Sequence, residues 1–276
     1  MKSKLRTELY QAVRPNITGI VYGGFDNPVL RKYCLFPNDN AVTQSLIKGF
    51  LYEQYIFDFL KDNSINLIDT DVIEVGSNNG HFTIEFSELV GNNGRVFAFE
   101  PQRIIFQQLC CNLFLNGTDN VLAYQLAIGN ESGVVKFEYA DYLFTGSVNF
   151  GDVSVYDEQK SKHKTFEEVK SDKLDSFDFN EVKVIKIDVQ GYESNVIEGA
   201  VKTIEKHRPY IFIEIEEECL VKFGSSEKDL IKQIEELGYV VKRFQVGIPY
   251  NSTSGYCLDC VCIPKEKYEN KNYIIK

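Results

Sequence analysis

Between residues 71 and 237, short apolar runs alternate with amphipathic stretches of helical period, and this rhythm constrains the fold more than any other feature of the chain. DVIEV leads into HFTIEFSELV, RVFAFE into RIIFQQLCCNLFL, and NVLAYQLAI into a turn at Gly129-Asn130. KVIKIDV then precedes ESNVIEGAVKTIEK, and YIFIEIE precedes SEKDLIKQIEELG. A strand covered on both faces reads as a continuous apolar run, and the helix that follows must pack back onto the sheet. The pattern predicts an α/β fold, a doubly wound and mostly parallel sheet of about seven strands, Rossmann-like in architecture. YVVKRFQV and YCLDCVCIP read as two further strands that close the sheet as a hairpin.

The flanks are read from the same spacing. Residues 1–65 form an N-terminal extension, turn-rich at first and then periodic in VTQSLIKGFLYEQYIFDFLKD. There Leu46, Phe50, Tyr55, Ile56, Phe59 and Leu60 predict one helix of about five turns. Residues 66–264 form the main domain, interrupted at 138–172 by a polar insertion that reads as either a mobile lid or a plain surface loop. The lysine-rich tail 265–276 is expected at the periphery.

Composition excludes several classes. Hydrophobic residues at 43% and charged residues at 25% are globular proportions. A net charge of -10 with no clustered Lys and Arg argues against nucleic acid as partner. No apolar run is long enough to span a membrane, and MKSKLRTELYQAVRP lacks the apolar core of a secretory signal, so a cytoplasmic location is expected. Seven cysteines are an odd number for a disulfide framework, and Cys257, Cys260 and Cys262 fit a buried strand better than a zinc site lacking its fourth ligand. Nothing in the extension requires an oligomer, although it could pair subunits.

Ligands of a doubly wound sheet bind at the carboxyl ends of its strands, where the first strand supplies a glycine turn. EVGSNNG, residues 74–80, stands there. A phosphate-binding P-loop needs a lysine after its last glycine, where this chain has His81 and Phe82. A dinucleotide fingerprint needs GxGxxG, and Asn78 occupies the place of its second glycine. The carboxylate of Glu74 repels phosphate and suits a cationic ligand bearing an ammonium and a sulfonium, which points to S-adenosylmethionine. Glu100, ending the second strand in FAFEP, is placed to accept both hydroxyls of a ribose. A solvated acid at a helix start, before Pro101, explains it without a ligand.

DVIEVGSNNGHFT, VFAFEPQ, YQLAIGNESGVVKF and KIDVQGYESNVIEGA, in that order, resemble the FkbM-type methyltransferases over residues 70–218. The resemblance implies a class I methyltransferase fold and S-adenosylmethionine as cofactor, with a hydroxyl of a sugar or natural product as acceptor. It assigns the methionine end of the cofactor to the loop of Glu74, Gly76, Ser77, Asn78, Asn79 and Gly80, the ribose to Glu100 beside Pro101, and the adenine to the neighbourhood of Gln125 and Ala127. Members often carry Asp where Glu74 stands and Ala or Pro where Ser77 stands.

KIDVQGYE is the expected seat of chemistry. Lys186 and Asp188 alternate on one face of the fourth strand, with Asp188 at its carboxyl end. A hydroxyl is a poor nucleophile while protonated, so a base within hydrogen-bond reach is expected. Asp188 is the first candidate, followed by Glu214, His81 and Glu193; Asp188 could instead hold the methionine amine. Asp188, Glu214 and Glu216 could together suit magnesium, but a hydrogen-bonding or solvated acidic strand end explains them better, and no metal is expected. Tyr139, Tyr142, Phe144 and Phe150 bracket the insertion and could stack on a sugar ring, while His163 fits an exposed loop position. Other readings stay open: an N- or carboxyl-methyltransferase on a small metabolite, an NAD-linked oxidoreductase, and a non-catalytic cofactor-binding subunit.

Overall fold

The computed structural model describes residues 16–23, 30–36, 39, 42–48, 51–138, 149, 151, 155, 166–244 and 259–276. Tyr139, Tyr142, Phe144, Phe150, His163 and Cys257 lie outside the described residues. The N-terminal extension holds more than a helix. Strands β1 (Asn16–Gly23) and β2 (Leu30–Leu35) pair antiparallel. Helices α1 (Val42–Ile47) and α2 (Tyr55–Asp62) then take the place of the single long helix expected. The interruption includes Glu53 at φ 54, a left-handed backbone that cannot continue a right-handed helix.

The main body runs β3 (Asp71–Val75), α3 (His81–Val90), β4 (Arg95–Phe99), α4 (Arg103–Asn116) and β5 (Val121–Tyr124). The strand expected over NVLAYQLAI breaks after Tyr124. Its second part, β6 (Ala127–Ile128), joins a separate three-stranded sheet with β7 (Gly133–Glu138) and β8 (Phe166–Asp172). The chain re-enters the main sheet through β9 (Val182–Ile187), α5 (Glu193–Glu198), α6 (Val201–His207) and β10 (Tyr210–Glu214). It ends with α7 (Glu217–Leu220), α8 (Glu227–Glu236), β11 (Tyr239–Arg243), β12 (Asp259–Pro264) and α9 (Lys265–Tyr268). The helix expected over 193–206 is divided at Gly199, where a Cβ would stand 1.9 Å from the Gly129 carbonyl oxygen.

The seven-stranded sheet has the order β11-β12-β10-β9-β3-β4-β5. Six of its seven strands run in one direction, and β12 runs antiparallel to both neighbours, completing the closing hairpin with β11. The direction of winding reverses between β3 and β9, the switch point at which such sheets bind ligands. Alternate side chains explain the apolar runs. Val72, Ala98, Val184, Phe212 and Val261 pack with α2 and α3 on one face. Ile73, Phe97, Ile185 and Ile211 pack with α5, α6 and α8 on the other.

Cys260 and Cys262 are buried in β12 outside any disulfide, as a strand reading requires. The C-terminal tail is more firmly held than expected. Tyr273 stacks on Phe59 at 6.0 Å and shares a hydrogen bond with Tyr210 at 2.9 Å. Ile274 N donates to Asn63 Oδ1, and Asn63 Nδ2 to the Ile274 carbonyl, both at 2.9 Å. Among the described residues, no helix is long and apolar enough to cross a membrane.

Candidate active site

The glycine loop leaves β3 and crosses the carboxyl end of the sheet. The amides of Gly76 and Ser77 donate to the Phe99 carbonyl at 2.9 and 3.0 Å, fastening the loop to β4. Gly76 has φ +86, and a Cβ on it would lie 1.8 Å from the Asp188 carbonyl oxygen. Gly80 has φ +83, and its Cβ would lie 2.5 Å from Leu109 Cδ1. The protein's own packing against β9 and α4 therefore demands both glycines before any ligand is considered.

Glu100 fixes the loop's outer turn. Its Oε2 accepts from the Asn78 amide at 2.9 Å and its Oε1 from the Gln102 amide at 2.8 Å. Each oxygen has further acceptor capacity, so the carboxylate can still receive two adjacent hydroxyl donors, and this donor set fits a ribose. Burial raises its pKa to about 7 against the lowering effect of the two amides. The Glu100 amide donates to the Tyr124 carbonyl at 3.1 Å, which brings exposed Gln125 beside the acid. Pro101 leads into α4, and Ala127 is buried at the start of β6.

Ser77 and Asn79 face inward. Ser77 Oγ donates to the Glu74 carbonyl at 3.1 Å, and Asn79 is 2% exposed. Behind them, Asn112 of α4 donates to the Asn79 carbonyl at 2.7 Å and accepts from the Cys34 amide of β2 at 2.5 Å. Glu74 is also buried beneath the loop, accepting from Thr83 Oγ1 at 2.5 Å, and burial raises its pKa to about 8 despite nearby Lys186.

Lys186 lies opposite Glu74 in the parallel register of β3 and β9. Its ammonium donates to Asp188 Oδ2 at 3.3 Å, pairs with Glu53 Oε2 at 3.7 Å and sits 4.8 Å from the centre of the Phe82 ring. Asp188 keeps 29% of its side-chain surface accessible. Burial disfavours its ionisation, but Lys186 and Gln190 outweigh that and hold its pKa below the usual carboxylate range. Gln190, left-handed at φ 56, donates through Nε2 to Asp188 Oδ1 at 2.9 Å and to Glu214 Oε2 at 3.0 Å. Burial and the neighbouring Asp188 push Glu214 well above the usual range. Asp259 of β12 lies directly opposite Glu214 and accepts from the Tyr55 hydroxyl.

His81 opens α3 and is 5% exposed. Asn79 Oδ1 accepts from the His81 amide, and the His81 Nδ1 stands 3.2 Å from the same oxygen. Burial, followed by the Lys186 charge, lowers the imidazole pKa to about 3, so the ring is neutral.

Two further acids of the sequence reading hold loops. Glu193 Oε1 accepts from the amides of Val189 and Gly191 at 3.2 and 3.1 Å, holding the turn after β9. Glu216 lies beyond β10 and accepts from the Cys219 thiol at 2.9 Å. The alternation that would align it with Glu214 ends with the strand. Among the described residues, no group of three His, Cys, Asp or Glu side chains is arranged to hold a metal ion.

The structure thus brings Asp188, Glu214 and Lys186 together, with Glu74 and His81 beside them and Glu100 at the far end of the loop. Sequence reasoning missed Glu53, Gln190, Tyr55 and Asp259. Gln190-Gly191 after a strand is a turn signal that could have found one of them; Glu53 and Tyr55 carry no local signal.

Residues 74–241 match the methyltransferase FkbM domain. The sequence matches no curated protein at a significant level. Among solved structures, it is similar to the FkbM methyltransferase of Methylobacillus flagellatus, with 15% identity and a TM-score of 0.45, covering 70% of this chain but only 43% of that one. It is also similar to an S-adenosylmethionine-dependent O-methyltransferase of Thermotoga maritima, with 10% identity, 81% and 71% coverage and a TM-score of 0.45. A third is Aeropyrum pernix fibrillarin with natively bound S-adenosylmethionine, at 13% identity, 75% and 74% coverage and a TM-score of 0.40. With most of its length matched to that domain, on a sheet that places the glycine loop and Glu100 at the switch point, the chain belongs to the FkbM methyltransferase family, whose members are S-adenosylmethionine-dependent.

Proposed function

We propose that this chain methylates a hydroxyl of a sugar or glycan precursor. Bound S-adenosylmethionine supplies a methyl group on a sulfonium, already activated for in-line displacement. The loop of Gly76, Ser77, Asn78, Asn79 and Gly80 holds its methionine end above buried Glu74. Glu100 takes the ribose hydroxyls, and Pro101, Gln125 and Ala127 border the adenine. Residues 66–264 form the catalytic domain, and the insertion at 138–172 shapes the acceptor side.

The observation that carries the hydroxyl reading is the ion pair of Asp188 Oδ2 with the Lys186 ammonium at 3.3 Å. The Asp188 carboxylate is kept ionised by Lys186 at the end of β9, where its backbone abuts Gly76. An ionised carboxylate there can take the hydroxyl proton as the oxygen becomes nucleophilic. Glu214, which retains its proton more readily, shares Gln190 with Asp188, so the two acids titrate as a pair. Neutral His81 offers a lone pair that can orient the hydroxyl. Family membership supplies the word sugar; the residues supply the base.

The test is transfer of a labelled methyl group from S-adenosylmethionine to a panel of sugars and nucleotide sugars. Label that survives alkali is expected, because a methyl ether does and a methyl ester does not. Alkali-labile label would overturn the hydroxyl reading. Asp188→Asn is expected to lose turnover by at least about a hundredfold while keeping S-adenosylhomocysteine affinity. Unchanged turnover would remove Asp188 as the base.

A further inference from the structure

Helix α4 holds strand β2 by its backbone. Gln108, Asn112 and Asn116 stand about one turn apart along one stripe of the helix. Asn116 Oδ1 accepts from the Lys32 amide at 3.0 Å, and its Nδ2 donates to the Lys32 carbonyl at 2.7 Å. Asn112 Oδ1 accepts from the Cys34 amide, and Gln108 Nε2 donates to the Cys34 carbonyl at 2.7 Å. Lys32 and Cys34 are thus each pinned at both backbone polar groups, which fixes the register of the strand on the helix.

The side chains of β2 divide between two sides. Tyr33 and Leu35 enter the main core, whereas Phe36, two residues after Cys34, packs with Ile105 of α4. Alternation gives Cys34 the side of Phe36, toward the helix. Cys111 adjoins the amide stripe, directly before Asn112, and its thiol meets that of Cys34 in a hydrogen bond. Neither cysteine is in a disulfide; Cys34 is buried and Cys111 half-buried, so a small reagent reaches Cys111 first. Burial and the adjacent Cys111 raise the Cys34 pKa to about 11, and as a thiol at neutral pH it does not begin an exchange. Cys110 is exposed, but consecutive side chains of a helix do not face each other, so it is no partner for Cys111 while α4 stays wound.

We propose that Cys34 and Cys111 are a redox-sensitive pair whose disulfide ties β2 covalently to α4, the helix that supports the glycine loop through Asn112. The oxidant is a small disulfide of the glutathione class. The Cys111 thiolate attacks one of its sulfurs, breaking the S–S bond and releasing one glutathione thiolate. Cys34, on losing its proton, then attacks the Cys111 sulfur and releases the second. The two cysteine protons pass to the two leaving thiolates, and two electrons reduce the oxidant. The new bond closes a long loop of chain and so stabilises the fold. This device is separate from methyl transfer and does not rest on it.

The experiment compares the full chain treated with glutathione disulfide and with dithiothreitol, by mass mapping of unreduced peptides and by urea denaturation. A peptide linked through Cys34 and Cys111 is expected, kept in Cys110→Ser and lost in Cys111→Ser and Cys34→Ser. Oxidation is expected to raise the urea midpoint by at least about 1 M in the wild type and in Cys110→Ser, and to leave Cys111→Ser unchanged. If Cys34→Ser does not fold, Cys111→Ser, altered at a half-buried position, carries the comparison. Mixed disulfides with glutathione alone, a link that needs Cys110, or a linked chain with an unchanged midpoint would each overturn the inference.

Discussion

The carbonyl oxygen of Asp188 occupies the space that a side chain on Gly76 would need, 1.8 Å from the ideal Cβ position. The glycine loop and the candidate base are thereby locked together through backbone. Gly76→Ala is expected to cost about 3 kcal/mol, combining the left-handed φ with a clash against main chain that cannot swing aside. Gly117 supplies the control, since it has φ +65 but nothing within 4 Å of its Cβ. Alanine there should cost only about 1 kcal/mol, for backbone alone. Urea denaturation measures both, and equal losses would refute the steric argument.

Stability of the ligand-free chain should fall as pH rises from 6.5 to 8. Buried Glu74, Glu100 and Glu193 have pKa values raised to about 8, 7 and 7. Above their unfolded values the folded chain keeps protons that the unfolded chain releases, so their stabilising contribution is lost as pH climbs through the folded values. His81, lowered to about 3, acts oppositely, and its contribution disappears as pH falls below its ordinary 6.5. Above 6.5 the acids act without it. A loss of about 3 kcal/mol in unfolding free energy is expected across the window, smaller in Glu74→Gln. A flat or rising profile would contradict the assignment.

Asn112 ties the N-terminal strand β2 to the glycine loop through one fully buried side chain. Asn112→Leu leaves the Cys34 amide and the Asn79 carbonyl without this partner. The expected loss is about 2–4 kcal/mol, with weaker S-adenosylhomocysteine binding because the loop is no longer held from behind. Calorimetric titration and urea midpoints report both, and unchanged cofactor affinity would show that the loop holds its shape without α4.

Glu100→Gln replaces an acceptor-only carboxylate with a side chain that must turn an NH2 toward one of two backbone amides. Loss of one charge-assisted hydrogen bond and of a hydroxyl acceptor should weaken S-adenosylhomocysteine binding by at least about tenfold. Retained affinity would remove Glu100 from the ribose site.

The parallel strands and most of their helices were legible because burial on two faces imposes a pattern that each segment carries locally. The glycine loop, Glu100 and Asp188 were legible for a related reason: they stand at fixed offsets from strand ends. The reason for the glycines was not. Gly76 is needed because of Asp188, 112 positions later, and no local pattern announces such an approach. The N-terminal helix was over-extended because Leu46 through Leu60 keep helical spacing across the break that contains Glu53. Glu53 and Asp259 reach the site through tertiary packing alone, from either side of the matched domain.

Asn63, just after α2, exchanges two hydrogen bonds with Ile274, while Phe59 of α2 stacks on Tyr273. The helix adjoining Tyr55 and Glu53 is therefore secured by residues some two hundred positions downstream. During synthesis, the sheet strands through β10 can emerge and pair before that fastening exists. That fastening of α2 forms only after translation has passed Ile274, so a ribosome-stalled chain ending near β11 would assemble its glycine loop before α2 is pinned from the far end of the chain.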